Sequence, residues 1–367
     1  MHLVMGSPNR YLQEKDILLK AGEQIAPLGK KVLLVGDETT LAVARPKLAP
    51  SLNKAGLEFA EEVFAGEVTK EEAHRIADLL INAGYDLIIG VGGGKAIDTA
   101  KAAAAYADRK LVTIPTLASN CAPWTPLSVF YDQTGAFEEY IIFQFSPALV
   151  LVDTEIIAKS MPNYFKAGIA DTVVKFYEAR ASAANKEKNV PTRAALKIAA
   201  ECKYIIFEYA VQAAKDLEKQ KASKAVEKIV DSIIALGGMV GGIGSDNCRI
   251  AAAHAIHNGL TVLPETHQLL HGEKVAFGTL VQLELEGAES EFFELLELLN
   301  QLDQPITLDQ LGLSDIEQSA LEKVAVKSCL PAESIHNLPF KVNPELVIKA
   351  IQSVDEKAQA YLAKLKK

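Results

Sequence analysis

The sequence predicts an α/β amino-terminal domain followed by an all-α carboxy-terminal domain. Three observations carry this. Short apolar runs alternate with helical patterns over the first 155 or so residues. Strand signals nearly vanish beyond residue 160. A glycine-rich turn joins one of the early apolar runs to a helical pattern, as in nucleotide-binding sheets.

The early runs are Lys31–Gly36, Asp86–Gly90, Leu111–Pro115 and Ala148–Asp153. Their continuous apolar character suits parallel strands covered on both faces. Thr69–Ala83 and Lys95–Ala107 read as the intervening amphipathic helices. The runs LSVFY and FEEYIIF, flanking Asp132-Gln133-Thr134-Gly135, read as an inserted β-hairpin. Lys166–Ala184, Thr192–Lys215 and Lys221–Ile234 have helical spacing, and the remainder is mostly helix-like. Proline interrupts the pattern at Met161-Pro162, which places the domain boundary there: residues 1–160, then 161–367.

Composition narrows the function. The chain has 367 residues, 49% of them hydrophobic, and a net charge of -9, which opposes binding to nucleic acid or an anionic membrane. The four cysteines, Cys121, Cys202, Cys248 and Cys329, form no CxxC pair, so a disulfide framework or zinc knot is not expected. No apolar run reaches the roughly 20 residues of a membrane span, and the first residues lack a signal-peptide core. A cytoplasmic enzyme acting on a small molecule is the expectation.

Gly90-Val91-Gly92-Gly93-Gly94-Lys95 follows an apolar strand and opens a helix. Glycines admit a phosphate close to the backbone, and a helix start offers free N–H groups. The stretch is neither GxGxxG nor a Walker A loop, so a ligand-free tight turn stays open. Asp37 ends the first strong strand. It suits a ribose hydroxyl and repels a 2′-phosphate, unless it serves only as a helix N-cap.

Four of the seven histidines fall between Ala253 and Gly272. His254 and His257 lie one helical turn apart, and His271 precedes a new helix. Neutral imidazoles at such density can hold Zn²⁺ or Fe²⁺. Asp171 is an acid within an apolar helical pattern; either a metal or Lys175, four residues on, could balance its charge.

Together, GVGGGKAIDTAK, IPTLASNCAPWTPLSVFY, LVLVDTEII, AGIADTVVKFYEAR, AAAHAIHNGL and LLHGEKVAFGTLVQ resemble the iron-containing alcohol dehydrogenase superfamily, in its glycerol dehydrogenase-like branch. The resemblance implies a dehydroquinate synthase-like fold: a Rossmann-like dinucleotide-binding domain and a helical metal-binding domain. It implies Asp171, His254 and His271 as metal ligands, with Zn²⁺ favoured over Fe²⁺. It implies Gly93, Gly94, Lys95, Asp98 and Asp37 as contacts of NAD or NADP. Thr116, Thr125, Leu127 and Tyr131 would line the nicotinamide side, with NAD favoured by Asp37. It also implies a homo-oligomer.

Three departures bear on the substrate. Cys121, beside Trp124, replaces an Asp that glycerol dehydrogenases carry. Lys175 stands where the iron-dependent branch has a His. Arg249 lies five residues before His254, where a small residue is usual. Less negative and more positive charge favours an anionic substrate. The pattern is closest to the hydroxycarboxylate dehydrogenase A type, so interconversion of 2-oxo and 2-hydroxy acids is the first expectation. A zinc-dependent glycerol or 1,2-diol dehydrogenase is the second, and a nucleotide-binding protein without catalysis the third.

Overall fold

The computed structural model describes residues 6–132, 137–314 and 316–366. The chain divides into two compact units, Met1–Pro162 with Lys215–Gly242, and Asn163–Ala214 with Ile243–Lys367.

The first unit is built on eight strands: β1 (Tyr11–Glu14), β2 (Lys31–Gly36), β3 (Glu58–Val63), β4 (Leu87–Gly92), β5 (Lys110–Pro115), β6 (Leu127–Tyr131), β7 (Phe137–Ile142) and β8 (Leu149–Asp153). Six of them form one sheet in the order β1-β8-β5-β4-β2-β3, and every pairing in it is parallel. Helices α1 (Ala21–Ile25), α2 (Glu38–Lys54), α3 (Lys70–Asn82), α4 (Gly94–Ala107) and α5 (Thr154–Ile157) accompany the strands. One face of the sheet packs Leu34, Ile89 and Ile114 against Leu41 and Leu48 of α2. The other packs Val35 and Ile88 against Ile76 of α3 and Ala100 of α4.

The four runs identified in the sequence are the central strands. β1 and β3 were not legible there because they are the edges: β3 is exposed at both ends, half-buried between them, and carries Glu58, Glu61 and Glu62 instead of a continuous apolar run. The hairpin is present, with β6 and β7 antiparallel and Leu127 opposite Ile142. Of the turn expected between them, Gln133, Thr134 and Gly135 lie outside the described residues.

The helical part comprises α6 (Pro162–Ala183), α7 (Val190–Glu218), α8 (Lys224–Asp231), α9 (Gly237–Gly244), α10 (Ala252–Leu260), α11 (His271–Glu286), α12 (Glu289–Gln301), α13 (Gln318–Ser328) and α14 (Pro344–Leu365). A single cut at residue 160 differs from the observed division, because the helical segment Lys215–Gly242 clusters with the α/β unit. Its attachments explain this. Gln13 Nε2 donates to the Glu227 carbonyl at 2.9 Å, and the Gly6 amide donates to the Gly242 carbonyl at 3.0 Å. Trp124 lies so close to Gly238 that a Cβ there would sit 2.3 Å from its ring. Periodicity locates a helix but not the surface it packs on.

Candidate functional site

In the first unit, β2 and β4 are neighbours at the point where the strand order turns back, and Val35 is in register with Gly90. Asp37 and Gly92-Gly93 therefore stand beyond the carboxyl ends of adjacent strands, where ligands bind open α/β sheets. Gly92 has φ of +145°, open to glycine and strained for other residues. The chain thereby turns sharply from β4 into α4, whose N-cap Gly93 supplies no side-chain cap. Gly94 faces Asn120: a Cβ there would lie 3.2 Å from its Nδ2.

Asp37 is the N-cap of α2, its Oδ1 accepting from the Thr40 amide at 2.9 Å. Lys95 reaches Glu67 at 2.7 Å and lies over the Tyr131 ring. Burial pushes the Tyr131 phenol up to about 12, helped by Asp98 and Glu67. Asp98 is turned into the protein, where Lys101 Nζ lies 2.7 Å from Oδ1 and the Val129 amide donates to Oδ2 at 3.1 Å. Lys101, 1% exposed, also donates to the carbonyls of Ala122, Thr125 and Leu127. One buried ammonium thus ties the segment holding Cys121, Thr125 and Leu127 to α4. Thr116 is buried, its amide donating to the Gly92 carbonyl. Trp124 is buried too, 5.7 Å from the Tyr11 ring.

In the second unit, three helices bring Asp171, His254 and His271 together. Asp171 lies mid-way along α6, His254 in the first turn of α10, and His271 opens α11. Glycine sets the approach of α11: a Cβ on Gly272 would lie 2.0 Å from the Ala167 carbonyl oxygen of α6. One ligand atom from each of the three residues lies within 4.8 Å of the others. Asp171 Oδ1 is 3.3 Å from His271 Nε2 and 3.6 Å from His254 Nε2. Yet this buried oxygen accepts no hydrogen bond among the described residues. A buried carboxylate oxygen with two imidazole nitrogens close but unbonded is the donor set that a divalent cation requires.

Burial alone would push the Asp171 carboxyl up. The Lys175 ammonium, 3.8 Å from Oδ2, together with His271 and His254, outweighs it and holds the group well below the usual carboxylate range. Arg249 lies two residues before Ala251, its Nε 3.9 Å from Asp246. That Nε is buried without a hydrogen-bond acceptor among the described residues. His257 Nε2 meets His271 Nδ1 at 3.0 Å. Burial, with the neighbouring His271, pushes His257 well below its ordinary value.

The sequence reading missed Glu178. This carboxylate is fully buried, with Oε2 2.6 Å from His254 Nδ1 and Oε1 accepting from the amides of Ala251 and His254. Burial would raise it, but His254 and those amides hold it below the usual range. Its spacing offered a signal: Glu178 follows Asp171 by seven residues, two helical turns along the same face.

The iron-containing alcohol dehydrogenase family pattern matches residues 8–154. Beyond that span, similarity to single proteins runs the length of the chain. It is 39% identical over 361 residues to a glycolaldehyde reductase of Halobacterium salinarum, covering 97% of this chain and 98% of that one. It is 38% identical over 367 residues to a glycerol dehydrogenase of Pseudomonas putida, covering 99% and 100%. The chain belongs to the iron-containing alcohol dehydrogenase family. Within it, the chain falls in the glycerol dehydrogenase-like branch. The crystal structure of glycerol dehydrogenase from Schizosaccharomyces pombe superposes with a TM-score of 0.93 at 30% identity, covering all of this chain and 93% of that one. Hydroxycarboxylate dehydrogenase A of Escherichia coli is 38% identical over 331 residues, 89% of this chain and 90% of that one. As a member of this family the protein is an oxidoreductase of the alcohol dehydrogenase type, and no helix among the described residues is long and apolar enough to cross a membrane.

Proposed function

We propose that this family member is a metal-dependent, NAD-linked dehydrogenase that interconverts a small vicinal diol or polyol with its hydroxycarbonyl partner. The observation that carries the reading is the orphaned Asp171 Oδ1 facing two imidazole nitrogens. Asp171, His254 and His271 would hold the cation, and three protein ligands suit a catalytic Zn²⁺. Bound, the cation supplies Lewis acidity towards the substrate oxygen, and the nicotinamide supplies the hydride chemistry.

The chain's own residues do the rest. The uncapped start of α4 at Gly93, Gly94 and Lys95 binds the pyrophosphate. Asp37 accepts from the adenosine ribose and repels a 2′-phosphate, which favours NAD over NADP. Thr116, Thr125, Leu127 and Tyr131 line the nicotinamide side, and Asp98 holds β6 in place for them. Cys121 and Trp124 shape the substrate end.

The relatives favour polyols over the 2-oxo acids that the sequence first suggested, since glycerol dehydrogenase and glycolaldehyde reductase match over nearly all of the chain. The 2-oxo acid reading keeps specific support of its own. Lys175 stands beside Asp171, Arg249 Nε is buried without an acceptor, and Cys121 removes a negative charge. A carboxylate substrate would give the Arg249 Nε an acceptor and be drawn by the Lys175 charge.

The test uses protein stripped by a chelator and reloaded with Zn²⁺ or Fe²⁺. Glycerol, 1,2-propanediol, glycolaldehyde and 2-oxobutyrate are assayed with each cofactor. Metal-dependent turnover of diols and glycolaldehyde with NAD(H) is expected. Preference for 2-oxobutyrate, lost in Lys175→Ala and Arg249→Ala, would transfer the assignment to hydroxycarboxylates. Full activity after stripping would refute the metal role.

A further inference from the structure

The proton inventory behind the two histidines is determined from a distance. A carboxylate only accepts hydrogen bonds, and an amide carbonyl likewise. Asn258 Nδ2 donates to Glu333 Oε2 at 2.9 Å, which turns the Asn258 carbonyl towards His257. Asn258 Oδ1 lies 3.0 Å from His257 Nδ1, so that nitrogen carries the proton. Among the described residues no carboxylate faces His257, so the ring keeps that one proton and its Nε2, 3.0 Å from His271 Nδ1, is bare. Two bare nitrogens do not bond, so His271 Nδ1 carries a proton and donates it. With its one ring proton on Nδ1, a His271 ring able to ligate a metal has its lone pair on Nε2, facing Asp171 Oδ1.

For His254 the same result needs one link. Glu178 Oε2 accepts from Nδ1 at 2.6 Å, which places the proton of the metal-ligating tautomer on Nδ1 and its lone pair on Nε2. The Glu178 carboxylate cannot rotate out of this role cheaply, because its other oxygen holds two amides at the start of α10. The backbone beside Glu333 is anchored: Ser334 Oγ, next in sequence, donates to the Ala251 carbonyl at 2.6 Å. Three lone pairs thus converge, from Asp171 Oδ1 and the two Nε2 atoms. This accounts for the missing hydrogen bond on Asp171 Oδ1.

We propose that Glu178 and Glu333 are positioning residues that hold both ligand imidazoles in the Nδ1–H tautomer, Glu178 directly and Glu333 through Asn258 and His257. The inference rests on the metal reading above. It goes beyond it in assigning a role to residues that touch neither metal nor substrate. Such outer partners typically change metal affinity by about 10–100-fold.

The test is Co²⁺ titration of the metal-stripped full-length chain, followed by visible absorption and chelator competition. In Glu178→Gln the amide cannot accept on both sides at once. Turning its NH₂ to His254 Nδ1 drives the proton to Nε2, and Co²⁺ binding should weaken by about 10–100-fold. Asn258→Leu cuts the relay and should weaken binding in the same direction. Glu333→Gln keeps a carbonyl for Asn258 and should bind as the wild type does, whereas Glu333→Leu should not. A merely structural role would lower stability in these variants and leave affinity unchanged; unchanged affinity in Glu178→Gln and Asn258→Leu overturns the proposal. A wild-type chain that takes up no Co²⁺ would instead overturn the metal reading itself. Should the variants fail to fold, ¹⁵N-histidine spectra of the Zn²⁺-loaded wild type decide. Protonated Nδ1 on both ligands supports the assignment, and coordination through either Nδ1 overturns it.

Discussion

A Cβ on Gly272 would lie 2.0 Å from the carbonyl oxygen of Ala167, so α11 reaches α6 only because residue 272 has no side chain. Both partners are backbone atoms, and neither can swing aside. The contact sits one residue beyond His271 and four before Asp171, so it sets the distance between two members of the triad. Gly272→Ala should therefore displace the start of α11. The expected cost is about 1–3 kcal/mol, typical of overpacking a tight contact. Metal affinity should fall with it. Thermal unfolding with and without Zn²⁺ separates the two effects, and a variant with wild-type unfolding and wild-type Zn²⁺ stabilisation would refute the constraint.

Lys101 presents a second test, in the other unit. Its buried ammonium serves three carbonyls and the Asp98 carboxylate. Lys101→Met leaves Asp98 buried beside no cation, which should cost about 3–5 kcal/mol. Asp98→Asn in the same chain removes the stranded charge and should recover part of that loss. The two substitutions share a network, so they should be strongly non-additive. Additive effects on the unfolding temperature would contradict the coupling.

Legibility in the sequence followed burial. β2, β4, β5 and β8 lie inside the sheet and announce themselves as continuous apolar runs. β1 and β3 lie at its edges and do not. Lys215–Gly242 reads as helix, but its anchors, such as Gln13 on the Glu227 carbonyl, join distant parts of the chain that no local pattern connects. Within the candidate site, Asp171, His254 and His271 stand out as an acid and imidazoles in apolar helical surroundings, and the structure brings them together. Glu178, Asn258 and Glu333 do not stand out. A buried acid looks like any surface acid until the imidazole it faces is placed, and Glu333 meets Asn258 across 75 residues. Asp98 and Asp37 were read as cofactor contacts; what the fold shows is that each holds its own segment, to Lys101 and to the Thr40 amide.

Acid should reveal the bond between Glu72 and the start of its neighbouring segment. Glu72 accepts from the Ala65 amide at 2.9 Å and from Arg75 at 2.7 Å. Burial opposes the charged form, but these partners outweigh it and hold the carboxyl below its ordinary value of 4.5. A carboxyl lowered on folding stabilises the native state fully above its unfolded value. That contribution fades as pH falls through the folded value. The stability gap between wild type and Glu72→Gln should therefore be flat near neutrality and shrink below about pH 4.5. Its size should be on the order of 1 kcal/mol, because Arg75 is half exposed and solvent screens the pair. Unfolding measured in parallel across the acid range checks this; a gap that widens with acid would reverse the assigned sign.

Metal binding should itself stabilise the second unit, and Asp171 should be indispensable to that effect. Anything that binds only the folded state adds stability by mass action, about 2.7 kcal/mol when the free ligand is at 100 times its Kd. Zn²⁺ should thus raise the unfolding temperature of the stripped protein in a concentration-dependent way. Asp171→Asn keeps the shape of the side chain but removes the anionic oxygen on which the two imidazoles converge. It also leaves Lys175 without the partner 3.8 Å away, so the variant begins less stable. The informative quantity is the Zn²⁺-dependent increment rather than the starting temperature. In Asp171→Asn the increment should vanish, while it persists in Lys175→Met, which removes the competing cation and keeps the carboxylate. An increment retained in Asp171→Asn would place the stabilising metal elsewhere on the chain.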